Sequence, residues 1–160
     1  MSVEVSNVEP KEIWKNFVLL NEVPRPSKKE EKVIDFLKLF AIKNNLEFRQ
    51  DEIGNLVIIK ESTEGMSNRE TVVLQSHVDM VHEKNNNVDF DFLNSGIKMY
   101  VDGDWIKADG TTLGADNGLG VAAIMAVLES KDISHPKIEA LFTIDEETGM
   151  TGALNLSNSI

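Results

Sequence analysis

The sequence contains no cysteine. Disulfides and thiolate metal ligands are therefore excluded, and a metal site in this chain has only histidine, aspartate and glutamate to draw on. Basic residues are few beside the acids, 16 Lys and Arg against 27 Asp and Glu, for a formal net charge of −11. Nucleic acids and anionic membranes need a basic surface to meet their phosphates, so both partner classes are argued against. No apolar run approaches the roughly 20 residues of a membrane-spanning helix. The segment Met1 to Glu12 is too polar and acidic for a signal peptide, which makes the cytoplasm the expected location. Internal repeats and low-complexity tracts are also missing. What remains is an ordinary globular composition, 41% hydrophobic and 27% charged over 160 residues, enough for one modest domain with its own core.

The pattern along the chain predicts an α/β fold, a mixed sheet flanked by helices. Residues 1–8 are polar and expected to be loosely held. Pro10 can open a helix whose apolar face carries Ile13, Trp14, Phe17, Val18 and Leu20, stopping before the stiff connector Pro24-Arg25-Pro26-Ser27. Ser27 and Glu30 have capping-box spacing before a second helix with Val33, Ile34, Leu37, Phe40 and Ala41 on one stripe. Leu46 to Gln50 and Leu56 to Lys60 read as strands joined by the turn Asp51 to Asn55. The apolar run opening Thr71 to Met80 reads as a buried strand ending at His77. Val81 to Gly103 shows little periodicity and is expected to be a loop bordering a site. Trp105 to Ala108 is a short strand, Leu119 to Leu128 a helix apolar all round and hence buried, and Lys137 to Ile144 a further strand.

Three polar clusters stand where apolar runs pass into turns. Side chains two apart in an extended chain share a face, so His77 and Asp79 lie together at a strand's carboxyl end, where open α/β sheets bind ligands. The pair is either a histidine satisfied by a nearby aspartate or a metal-ligating imidazole with its tautomer set by the carboxylate. Asp116 begins the buried helix and is either an N-cap or a ligand. Asp145, Glu146 and Glu147 close the last strand. Adjacent residues of an extended segment point oppositely, so Glu146 and Glu147 are expected to divide, one toward a metal and the other toward water. If the two long strands are parallel neighbours, the clusters meet. Acids gathered there would repel one another without a cation, which favours the metal reading.

Ser76-His77-Val78-Asp79, Gly114-Ala115-Asp116-Asn117-Gly118 and Asp145-Glu146-Glu147-Thr148-Gly149 resemble the signature motifs of a co-catalytic di-zinc peptidase family. That family includes carnosinases, aminoacylases, tripeptidases and glutamate carboxypeptidases. The wider runs Val73 to Val81, Lys84 to Asn86 and Gly110 to Gly118 are similar to its dipeptidase branch, and the resemblance extends from about Trp14 to the last residue. It implies two zinc ions per complete site, other divalent metals being possible. His77 would bind one zinc, Asp79 would orient that ring, Asp116 would bridge both ions with a cis peptide bond after it, Glu146 would be the general base and Glu147 would hold the second zinc. It implies cleavage of unblocked dipeptides, C-terminal histidine included, by a full-length homodimer. The family pattern also has a further carboxylate ligand, a distant histidine and an inserted lid domain beyond Ile160. The expectation is therefore that residues 1–160 are the N-terminal portion of the catalytic domain, inactive alone and binding metal weakly. His82 and His135 are expected in solvated loops. A reading from a different class is a non-catalytic α/β module that binds a peptide or partner at an exposed sheet edge.

Overall fold

The computed structural model describes residues 4–157 and 160. After a short 3-10 turn, Val5–Asn7, come α1 (Lys11–Asn21) and α2 (Glu31–Lys43). The strands β1 (Glu47–Gln50), β2 (Leu56–Lys60) and β3 (Val72–His77) follow, then the hairpin β4 (Met99–Asp102) and β5 (Trp105–Ala108). The chain continues with α3 (Ala115–Glu129), β6 (Ile138–Thr143) and α4 (Thr151–Leu154). The main sheet runs β1-β2-β6-β3. β1 and β2 pair antiparallel, as do β2 and β6, while β3 and β6 are parallel with His77 opposite Thr143. The mixed sheet and its flanking helices match the expected class.

The apolar stripe of α2 is buried as its spacing requires, and Val33, Ile34, Leu37, Phe40 and Ala41 pack in one cluster with Leu56 and Ile58 of β2 and Ala140 and Phe142 of β6. α3 packs on α1 and β3, and its Val121, Ile124, Met125 and Leu128 complete that cluster. A second cluster joins Val5, Phe17, Met80, Met99 and Ala122, and so ties the 3-10 turn, α1, the hairpin and α3 together.

Four expectations change. Residues 4–8 are anchored rather than loose, because Val5 is fully buried; residues 1–3 lie outside the described residues. β3 is an edge strand, and Val72 and Val73 are exposed on it, at 42% and 56%; a β-branched run reports strand propensity and not position in the sheet. The stretch from Val81 to Gly103 contains β4, whose alternation is too short to stand out, and its preceding residues wrap onto the helices: Ile97 N–H donates to the Asn21 carbonyl at 2.7 Å and Lys32 Nζ to that of Leu93 at 2.6 Å. His135 is buried, not solvated. Its Nδ1 faces the Pro136 carbonyl at 2.7 Å and its N–H donates to Thr63 Oγ1 at 2.9 Å, which pins a loop far from the strand ends that carry the acids. His82 is exposed and meets Phe92 edge-on.

Replacing Ile58, fully buried in a central strand, by alanine should cost about 2–5 kcal/mol in urea unfolding. Val73→Thr, at the exposed edge, should stay within about 0.5 kcal/mol.

Candidate metal centre

The parallel pairing of β3 with β6 brings their carboxyl ends side by side, and the Val78 N–H continues the ladder to the Thr143 carbonyl at 2.9 Å. α3 enters the same edge from Gly114, which takes a left-handed φ of 69°. The first residues of α3 are not helical: Asp116 and Asn117 break the geometry, and the peptide bond between them is cis. Ser76 Oγ donates to the Asn117 carbonyl at 3.0 Å, which docks this turn on β3. The side chain of Asp116 therefore does not cap the helix. It is 88% exposed and places Oδ1 at 3.1 Å from Nε2 of His77.

Glu146 and Glu147 follow a tight turn at Asp145, whose φ is 50°. The turn overrides the alternation of an extended chain. Both glutamates come to the same point, and one ligand atom from each of His77, Glu146 and Glu147 lies within 4.8 Å of the others. Glu146 Oε2 is 3.9 Å from His77 Nε2. All three sequence clusters thus converge. They border a cleft of about 410 Å³ lined by His77, Asp116 and Glu146 together with the apolar Leu141, Met150 and Leu156.

Asp79 stands behind the ring. Its Oδ1 is 3.3 Å from His77 Nδ1, and it also accepts the backbone N–H of Glu146 at 3.0 Å and of Glu147 at 3.2 Å. Ser27 Oγ donates to its other oxygen at 2.7 Å. Ser27 and Glu30 form no capping box; α2 starts with no side-chain cap. Glu30 instead accepts the N–H of Asp145 at 3.1 Å, and Asn55 accepts that of Ile144 at 3.2 Å. The Ser-x-x-Glu spacing carried the signal of Ser27 and Glu30 but pointed to a local use, and Asn55 looked like a turn residue. Asp145 is braced by Thr148 and Thr151. The buried trio Glu30, Asp79 and Asp145 also lies close together, but hydrogen-bond donors already engage each member, so it reads as a brace.

Burial disfavours the charged form of His77, but hydrogen bonds to Asp79 and Asp116 and the charges of Asp79 and Glu146 outweigh it and raise its pKa to about 9. Burial likewise opposes ionisation of Asp79, and the hydrogen bonds from His77, Glu146, Ser27 and Glu147 hold it down at about 2. Glu147 is pushed up by burial, pulled back by His77, and pushed up again by Glu146, Asp116 and Asp79. The acids therefore call for a positive charge where their oxygens meet. One imidazole and several carboxylates form a donor set suited to a divalent ion. Two ligands on one tetrahedral zinc-sized ion stand about 3.3 Å apart at ordinary bond lengths. The 3.1 Å between His77 Nε2 and Asp116 Oδ1 fits that as well as it fits a hydrogen bond.

Residues 56–159 match peptidase family M28. The chain belongs to this family. It is 42% identical over 98% of its length to the cytosol non-specific dipeptidase of Escherichia coli, of which it spans 32%. The structure of an aminoacylhistidine dipeptidase from Vibrio alginolyticus superposes with a TM-score of 0.94 at 46% identity, covering 98% of this chain and 32% of that one. A tripeptidase from Staphylococcus aureus gives a TM-score of 0.75 at 27% identity, over 94% of this chain and 40% of that one. This M28 chain thus spans about a third of the length of the two dipeptidases, and the family implies a divalent metal. Among the described residues no helix is long and apolar enough to cross a membrane.

The His77 shift sets a pH dependence. A histidine whose folded pKa is raised stabilises the fold fully below its unfolded value near 6.5, and that stability is lost as pH rises through about 9. In chelator-treated protein, urea unfolding should show a decline on the order of 3 kcal/mol across that window. His77→Gln should flatten it.

Proposed function

We propose that this site hydrolyses the peptide bond of small peptides, dipeptides with C-terminal histidine among them, with zinc as the divalent ion. The observation that carries the reading is the meeting of His77 Nε2, Asp116 Oδ1 and the carboxylates of Glu146 and Glu147 at one edge of the sheet. The names of the E. coli and Vibrio relatives support the substrate class.

His77, Asp116 and Glu147 would hold the ions. Bound divalent ions supply Lewis acidity, which polarises a scissile carbonyl and acidifies a water. Asp79 fixes the His77 ring so that Nε2 faces the cleft. Glu146 lines the cleft, which supports its reading as the general base. It takes the proton of the attacking water and returns it to the departing amine. Leu141, Met150 and Leu156 give the cleft an apolar wall. The activity belongs to an architecture of which this chain spans about a third, a cytosolic homodimer on this reading. A peptide-binding module using the β3 edge has the exposed Val72 and Val73 in its favour, but it leaves the convergence of the acids without a purpose.

In a zinc-loaded protein carrying these residues, Glu146→Gln should lower kcat on an unblocked dipeptide by about 10²–10⁴-fold while zinc content holds. His77→Gln and Glu147→Gln should lower zinc content itself, measured by calorimetry and metal analysis. Undiminished turnover by Glu146→Gln would remove it as the base, and undiminished zinc in both ligand variants would overturn the metal reading.

A further inference from the structure

Arg25 belongs to the connector between α1 and α2, far from the acids in sequence, and is only 1% exposed. Its guanidinium is shared among three segments. Nη1 donates to the carbonyl of Val78 at 3.1 Å, between His77 and Asp79. Nη2 donates to the carbonyl of Gly114 at 2.7 Å, two residues before Asp116, and to Asn21 Oδ1 at the end of α1 at 2.8 Å. The backbone joins in, because the Met80 N–H donates to the Arg25 carbonyl at 3.1 Å.

The turn that carries Asp116 is shaped around this side chain. A Cβ at Gly114 would stand 2.5 Å from Nη2, and one at Gly118 would stand 2.6 Å from it. Two glycines of the Gly-Ala-Asp-Asn-Gly run thus leave room for the guanidinium. Stability alone does not account for such an arginine. A buried charge adds little net stability over an apolar replacement, and Nε has no hydrogen-bond partner among the described residues. Burial lowers the Arg25 pKa to about 10, opposed by Asp79, so it remains a cation at neutral pH.

We propose that Arg25 is a positioning residue of the metal centre: its planar fork sets the Asp116 turn against the end of β3, and so places Asp116 Oδ1 beside His77 Nε2. This rests on the divalent-metal reading given above. A lysine would keep the charge but, as a single flexible ammonium, could not hold both carbonyls in a fixed plane. Geometry and charge therefore separate in one substitution.

The test uses the full chain and Co2+ as the probe, read by calorimetry and by the d–d absorption of the bound ion. Arg25→Lys should weaken Co2+ uptake by about 10–100-fold, the range for loss of a group that supports metal ligands. It should also change the absorption envelope, while hydrogen exchange at the core amides of Leu37 and Phe40 stays as in the unsubstituted chain. Unchanged uptake and spectrum in Arg25→Lys would overturn the positioning role alone. If the unsubstituted chain takes up no Co2+, the metal reading falls and the purpose assigned to Arg25 falls with it. If Arg25→Lys does not fold, Gly118→Ala decides, since it keeps the arginine but displaces the fork: weakened uptake supports the proposal and unaltered uptake overturns it.

Discussion

The carboxylate of Asp79 is the constraint on which the site depends. It is fully buried and holds four partners from three separate segments: the His77 ring, the Ser27 hydroxyl, and the backbone N–H groups of Glu146 and Glu147. A carboxylate with several donors is stabilised in its charged form, and it returns that order to the groups that donate. It turns the imidazole outward and sets the start of the glutamate turn in the same act. Its role is thus wider than orienting one histidine.

Around that carboxylate the fold solves a problem of charge. Asp116, Glu146 and Glu147 gather at one edge, where burial first, and then the charges of Glu146, Asp116 and Asp79, push Glu147 up against the pull of His77. Two kinds of positive charge answer them. Arg25 is fixed behind the site, where its donors are spent on carbonyls, and the imidazole of His77 faces the acids directly. A divalent ion would satisfy the same oxygens more fully, which is the physical link between this geometry and hydrolytic chemistry.

Much of this was legible in the residues. The apolar spacing of α2 named its buried face, the β2 run lay where expected, and the three polar clusters did converge because β3 and β6 are parallel. The misreadings share a cause. The spacing of Ser27 and Glu30, the alternation assigned to Glu146 and Glu147, and the loop histidine reading of His135 all assumed that a side chain's use is decided by its near neighbours. Partners distant in sequence claim Ser27 and Glu30, a tight turn at Asp145 replaces the extended chain under Glu146 and Glu147, and the bond from the His135 backbone to Thr63 helps to bury that loop.

The chain's order of residues by itself determined the chemistry on offer: imidazole and carboxylates without thiolates, placed where strands and a helix begin or end. Those features are local, because periodicity, turn residues and ligand type are properties of short stretches. Only the tertiary structure decided which of these groups share a point in space, that β3 lies at an edge, and that a connector arginine and serine belong to the site. Such choices depend on hydrogen bonds and packing between segments tens of residues apart, and no short stretch of sequence encodes its partner across the fold.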